Sequence, residues 1–273
     1  MAEMNLKSPQ ISVVMTVYNT MDYLSDAIDA VLTQTFTSLE LIIVDDGSTL
    51  ANQTAIKVLI SQKNDPRIVY GFKPHIGRSK ALNEGLAMAQ GEWISILDAD
   101  DLWPPHKLQL QWDLVHEHEI SFISGVGVAF QNEEEVQALY GPTSSPITPI
   151  STAVMLLENR ISHGAILAKK SLMHYNETLT SQVDYDLWMR LIEQGETLYA
   201  HPNPVLFHRI HPHQSFEGRR IFRYRFNFLK RRLEYAKRLN QFHFIPIILA
   251  HFVIGLCVNR RRFQWLLMKL SGR

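Results

Sequence analysis

In the first hundred residues, short β-branched runs alternate with stretches of helical spacing. Residues 11–17, ISVVMTV, form an unbroken apolar run that predicts a buried parallel strand. Over residues 22–36, Leu24, Ala27, Ile28, Val31, Leu32 and Phe36 share one helical face. Residues 40–44 predict a second strand, which stops at Asp45-Asp46-Gly47-Ser48. A helix over 51–62, a strand over 68–72 and a helix from Gly77 through Ala89, closed by Gly91, follow in order. Residues 93–97 then predict a strand that runs into Asp98-Ala99-Asp100-Asp101. Such alternation predicts a doubly wound parallel sheet with right-handed crossovers. Beyond residue 120 the rhythm weakens. Residues 120–130 read as one or two strands, 141–149 as a loop, 151–158 as a helix and 164–168 as a strand. Residues 184–193 read as a helix with Leu187, Trp188, Leu191 and Ile192 apolar, and Trp188 is expected in the core.

Composition narrows the class. At 46% apolar and 20% charged over 273 residues, the chain is ordinary globular protein, with room for one large α/β domain and an appendage. Its one cysteine, Cys257, cannot form an internal disulfide, which points to a reducing compartment. The first ten residues carry no apolar segment of the kind a secretory signal needs, so none is expected. Two Asn-x-Thr sequons, at Asn52 and Asn176, are read as unmodified for the same reason. The net charge of zero conceals an asymmetry. Residues 219–273 hold 14 Lys+Arg and one acid, Glu234, whereas residues 1–218 hold 13 Lys+Arg and 26 Asp+Glu. Nucleic acid, anionic lipid and an acidic partner are the candidate counterparts of that tail.

Candidate chemistry gathers at two strand ends. In an open α/β sheet, ligands bind beyond the carboxyl ends of the strands. Clustered carboxylates there need a cation or a hydrogen-bonding ligand to offset their repulsion. Asp98-x-Asp100 offers two oxygen donors suited to Mg²⁺ or Mn²⁺ holding a diphosphate, and Asp45-Asp46 reads equally well as helix capping. No GxGxxG follows the first strand, and GxxxxGK[ST] is absent from the chain. Diphosphate charge must then be met by metal and by cationic side chains, for which Arg78 and Lys80 are available.

Four segments in order, SVVMTVYN (12–19), LIIVDDGS (41–48), ALNEGLAMAQGEWISILDADD (81–101) and DYDLWMRL (184–191), resemble the family 2 glycosyltransferases of the GT-A fold. The resemblance covers about residues 10–215. It implies a Rossmann-like mixed sheet flanked by helices, and inverting transfer from a nucleotide-sugar, a UDP-sugar first among the candidates, to an acceptor hydroxyl. The setting it implies is bacterial cell-surface polysaccharide or glycolipid synthesis. By position, Thr16, Tyr18 and Asp46 correspond to nucleotide contacts. Asp98 and Asp100 correspond to the Asp-x-Asp that binds the divalent metal and sugar diphosphate, with Arg78 meeting phosphate. Asp184 corresponds to the catalytic base, although Val183 replaces the Glu of the usual Glu-Asp pair and Asp186 is the rival. In the segment His208-Arg209-Ile210-His211, His211 is a candidate metal ligand and Arg209 a candidate phosphate contact. The catalytic domain is expected over 1–218, with a nucleotide half over about 10–101 and an acceptor half over about 102–218.

In the tail, Phe, Tyr and Leu interleave with Arg and Lys over 219–238. The apolar run over 242–258 follows, interrupted by His243, Pro246 and His251, and then Arg260-Arg261-Arg262. A spanning helix needs about 20 apolar residues, so this run predicts peripheral attachment to an anionic membrane surface, on its cytoplasmic side. A saccharide or lipid-linked saccharide is the expected acceptor. No RNA-binding motif accompanies the charge, so nucleic acid is not an expected partner. Two other readings remain open. A sugar nucleotidyltransferase would need a glycine-rich basic loop after the first strand, where Tyr18-Asn19-Thr20-Met21 stands. A non-catalytic carbohydrate-binding relative is favoured by Val183 and opposed by the intact Asp98, Asp100 and Asp184.

Overall fold

A computed structural model of the chain describes residues 8–131, 136, 146–211 and 221–257. The loop expected over 141–149 lies largely outside these residues, as does the arginine cluster Arg260-Arg261-Arg262.

Five expected elements open the chain as β1 (Ile11–Val17), α1 (Leu24–Leu32), β2 (Leu39–Asp46), α2 (Leu50–Lys63) and β3 (Ile68–Lys73). Then come α3 (Arg78–Met88), β4 (Trp93–Ile96), α4 (Lys107–Glu117), β5 (Phe122–Phe130), β6 (Thr148–Pro149) and α5 (Thr152–Leu157). The remainder is β7 (Ile166–Lys169), α6 (Val183–Glu193), β8 (Tyr199–Arg209), α7 (Ile221–Arg238) and α8 (Ile245–Cys257). Residues 120–130 resolve into the single strand β5, whose pairing with β8 slips at Ser124 and Val126.

The sheet order is β3-β2-β1-β4-β7-β5-β8-β6. The first four strands are parallel, as expected. β7 runs against both β4 and β5, so the sheet is mixed, while β5 and β8 are parallel to each other. Two reversals restore the direction of β5 and β8 to that of β4. The carboxyl ends of β1, β2, β4, β5 and β8 therefore share one edge of the sheet. Reversed β7 presents its amino end there instead.

Both faces of the sheet centre are covered, which is why β1 and β2 are near-continuous apolar runs. On α1 the buried side chains are Leu24, Ala27, Ile28 and Val31, four of the predicted stripe; Leu32 is half-buried and Phe36 lies beyond the helix. α3 packs by its small residues: a Cβ on Gly85 would meet Val14 Cγ1 at 2.4 Å.

Two compact units emerge. The larger comprises Met1–Ile150 and Ile161–Pro212, and the smaller comprises Ser151–Arg160 and His213–Arg273. Residues 151–160 thus cluster with the C-terminal helices rather than with the acceptor half. Inside the smaller unit, Arg232 is almost fully buried, donates to Leu157 O and lies 3.3 Å from His251 Nδ1. Arg225 donates to Gly255 O at 2.7 Å. Part of the tail's positive charge is therefore internal stapling of α7 onto α5 and α8. Phe242, Ile247, Leu249, Val253 and Ile254 are exposed, as are Arg223, Lys230, Lys237 and Arg238. Among the described residues, no helix is long and apolar enough to cross a membrane.

Candidate active site

The shared carboxyl edge gathers most of the candidate side chains. At the end of β2, Asp45 is fully buried, accepting from Ser48 N at 2.9 Å and from Tyr70 OH at 3.0 Å. That is a turn-closing role; burial, together with the bond to Asp45, pushes the Tyr70 phenol up to about 12. Asp46 accepts from Ile76 N at 2.7 Å and from Gly77 N at 3.1 Å, and so holds the turn that opens α3. Gly47, the next residue, has φ +82°, and a Cβ there would meet His75 N at 2.4 Å. Above this turn the rings of Tyr18 and His75 stack at 4.4 Å and 27°. Tyr18 is half exposed and Thr16 is half-buried on the last turn of pleat in β1.

The acidic loop after β4 is fastened to β8. Leu102 and Phe207 exchange two backbone hydrogen bonds of 2.9 and 2.8 Å. Asp101, which is 2% exposed, accepts from Arg209 N at 3.1 Å and faces His208 Nδ1 at 3.0 Å. Burial raises the Asp101 carboxyl to about 6, opposed by His208, and the same contact raises the His208 imidazole. This third acid is the structural member of the cluster. Arg209 stacks its guanidinium over Tyr23 at 4.3 Å and over Phe130 at 4.9 Å, and donates to Asp100 O at 3.2 Å. These contacts tie Arg209 to the acidic loop.

Asp98 and Asp100 have different partners. Arg78 Nη2 donates to Asp98 Oδ1 at 2.6 Å. Burial pulls the Asp98 carboxyl upward, but the Arg78 charge and hydrogen bond outweigh it and hold the group below its usual value. Asp98 in turn raises the Arg78 guanidinium. Asp100 Oδ2 lies 2.9 Å from His211 Nε2. Two ligands at right angles on one octahedral ion, with bonds of about 2.1 Å, stand about 3 Å apart, so this pair has the spacing of neighbouring metal ligands. Among the described residues, the buried Nδ1 of His211 has no hydrogen-bond partner. Among the described residues no group of three or more His, Cys, Asp or Glu could hold a metal ion. A Mg²⁺ or Mn²⁺ ion bound with a substrate diphosphate needs only one or two carboxylates from the protein. The donor set therefore fits such an ion.

On the acceptor side, α6 carries both rival acids in its first turn. Asp186 is buried, and its Oδ2 pairs with Arg190 Nε at 3.0 Å, while Arg190 also donates to His174 O. Asp184 is half-buried. Its charge acts on Arg78, His163 and Tyr175, which ties the start of α6 electrostatically to the group around Asp98. The buried Val183 contributes packing at the position of the expected Glu. Trp188 is fully buried, in the core as expected.

Two residues at this centre have no counterpart among the sequence candidates. His163, in the turn before β7, lies 3.3 Å from Arg78 Nη2 through Nδ1 and 2.7 Å from Tyr175 OH through Nε2. Its position follows from the reversal of β7, which no local sequence signal announces.

A family model described as glycosyl transferase family 2 matches residues 12–170. An uncharacterized glycosyltransferase of Rickettsia typhi is 26% identical over 219 residues, covering 77% of this chain and 67% of that relative. For several other relatives the chain spans about a third of their length, as with one from Rickettsia conorii, where the share is 32%. Among solved structures, Staphylococcus aureus TarS in complex with UDP-GlcNAc superposes with a TM-score of 0.64 at 15% identity, over 86% of this chain and 72% of that one. The mannosyltransferase PcManGT of Pyrobaculum calidifontis, in complex with GDP-Man and Mn²⁺, also gives 0.64, at 16% identity, over 97% and 80%. Both likenesses are of fold. With the mixed sheet, the acidic loop after β4 and a family match over more than half its length, the chain belongs to glycosyl transferase family 2.

Proposed function

We propose that this chain moves a sugar from a nucleotide-sugar donor, a UDP-sugar first among the candidates, to an acceptor hydroxyl with inversion. The observation that carries the reading is the convergence of Asp98–Arg78, Asp100–His211 and Asp184 on one edge of the sheet. The donor class draws support from the two fold neighbours, whose structures hold UDP-GlcNAc and GDP-Man with Mn²⁺.

The geometry supports a division of labour. The Tyr18–His75 stack offers an aromatic platform for the base, beside Thr16. Asp46 orders the turn from which Arg78 projects, so its contribution to donor binding runs through that cation as well as through any direct contact. Arg78 brings positive charge to the diphosphate. Asp100 and His211 would hold Mn²⁺ or Mg²⁺, with Asp98 beside them, and the ion when bound would offset negative charge on the departing diphosphate. Asp184 takes the acceptor proton as the new bond forms. Asp186 and Arg190 keep the first turn of α6 in place.

We further propose that residues 219–273 attach the protein peripherally to an anionic membrane on its cytoplasmic side, near a lipid-linked saccharide acceptor. The exposed apolar residues of α8 and the exposed cations of α7 support this.

Incubation with UDP-, dTDP- and GDP-sugars, with Mn²⁺ and then with EDTA, tests the enzyme reading. Release of nucleoside diphosphate that EDTA abolishes is expected. Pyrophosphate formation from a sugar phosphate and a nucleoside triphosphate would mark a nucleotidyltransferase instead. Binding without turnover would mark a carbohydrate-binding relative.

A further inference from the structure

We infer that His163 is a positioning residue for the donor site: its Nδ1 lone pair orients Arg78 toward Asp98, and its other ring nitrogen is anchored on Tyr175. The inference deepens the donor reading above and rests on it for its kinetic effect.

Arginine carries only donors, so the His163 nitrogen facing Arg78 must be a lone pair. That assigns the proton to Nε2, which donates to Tyr175 OH at 2.7 Å. One nitrogen, Arg78 Nη2, thus serves both Asp98 at 2.6 Å and His163 at 3.3 Å. It has two hydrogens, one for each acceptor, and engaging both fixes the plane of the guanidinium. Arg78 is half exposed and long, and a single contact to Asp98 would leave that plane free to turn.

The supports of His163 are rigid. Trp103 Nε1 donates to Gly164 O at 2.8 Å, and a Cβ on Gly164 would meet Leu206 Cδ1 at 2.8 Å. Tyr175 is fully buried and its ring meets the imidazole edge-on, 5.6 Å between centroids at 86°. Asn83 holds the Tyr175 backbone from both sides, accepting from its N–H at 2.8 Å and donating to its carbonyl at 2.9 Å. Asn83 lies on α3, the helix that Arg78 begins. Hydrogen bonds therefore run in a closed ring from Arg78 to His163, to Tyr175, to Asn83 and back along α3. Ser79, on the same helix, donates to Leu179 O at 2.6 Å, which ties the ring to the segment leading into α6.

A double-mutant cycle separates positioning from packing. His163→Ala should raise the donor KM on the order of tenfold, with kcat within about twofold, because a charge-assisted contact that orients the cation is lost. In an Arg78→Gln background the same change should add less than about twofold. Tyr175→Phe, which keeps the ring, should raise the donor KM in the same direction. A His163→Ala effect that is undiminished by Arg78→Gln, or that falls on kcat alone, would overturn the inference. Imidazole ¹⁵N NMR of the wild-type protein reads the tautomer without substrate. The Nε2–H form is expected, with its signal displaced in Tyr175→Phe, and an Nδ1–H form overturns the inference even where His163→Ala does not fold. Wild-type protein that turns over no nucleotide-sugar would refute the donor reading, and the tautomer would still decide the role of His163.

Discussion

Asp184 and Asp186 lie two positions apart in one helical turn, and the structure gives them opposite consequences on substitution. Asp186 is buried and paired with Arg190 at 3.0 Å. Asp186→Asn keeps the shape and removes the charge. Breaking a buried pair costs about 3–5 kcal/mol. Arg190 is about a fifth exposed and retains its bond to His174 O, so a discounted cost of about 2 kcal/mol is expected. For a unit of this size that lowers the melting temperature by roughly 5 °C. Asp184 is half-buried, so solvent meets part of the change in charge there. Asp184→Asn removes a proton acceptor, for which rate losses of about 10²–10⁴ are usual, or about 3–5 kcal/mol on the barrier. The assay pairs thermal unfolding with kcat at saturating donor, read by released nucleoside diphosphate. Asp184→Asn should melt like wild type and turn over at least a hundredfold more slowly. Asp186→Asn should melt early and retain turnover per folded molecule. An inactive Asp186→Asn with a wild-type melting temperature, beside an active Asp184→Asn, would refute the assignment.

Three further outcomes follow from the packing. Gly47→Ala should destabilise by about 2 kcal/mol or more and raise the donor KM, since φ +82° and a 2.4 Å approach to His75 N force the turn before Arg78 to move; an unchanged KM would detach that turn from donor binding. Lys107 is fully buried, donates to Ser95 Oγ and Ile166 O, and sits 3.8 Å from the centroid of Trp103, and burial holds its amine well below the ordinary 10.5. Between that lowered value and 10.5 the unfolded chain binds the extra proton, so wild-type stability should rise with pH in denaturant titrations, and Lys107→Met should remove the slope while matching or exceeding wild type at pH 7 by about 1–3 kcal/mol; an identical slope in the variant would refute the linkage. In the tail, sedimentation with anionic vesicles should weaken as salt rises, at about 1 kcal/mol per basic residue near the surface, and Ile247→Glu with Val253→Glu should remove the salt-resistant part; a full-length protein that ignores such vesicles at low salt would refute attachment.

Most of the nucleotide half was legible because its strands are buried on both faces and its helices keep an apolar stripe. β1 and β2 lie within two residues of their expected bounds, and the acids stand at the ends of β2 and β4 as expected. α4 was not legible. Its buried side chains include Lys107 and Gln111 beside Leu108 and Val115, so its inner face carries no apolar period. The buried Gln111 donates to Ala165 O at 2.9 Å, a partner 54 positions away. β8 was hidden by Pro202 and Pro204, which fall where its pairing with β5 slips. Without β8 nothing brought His208 to Asp101, 107 positions away, and only the family resemblance brought His211 toward Asp100, 111 positions away. His163 was missed because its placement depends on the direction of β7, a long-range property. The tail's charge was legible in total, but the burial of Arg232 was not, because that depends on packing against α5.

The central claim is that one cleft places donor and base on opposite sides of the reacting carbon. Donor hydrolysis followed by ¹H NMR in its first minutes tests it directly, because water can replace the unknown acceptor and the anomeric doublet reports configuration before mutarotation. With Mn²⁺ present, the first sugar released should carry the anomeric configuration opposite to that of the donor, and Asp184→Asn should slow its appearance. A first product with the donor's own configuration would contradict the account.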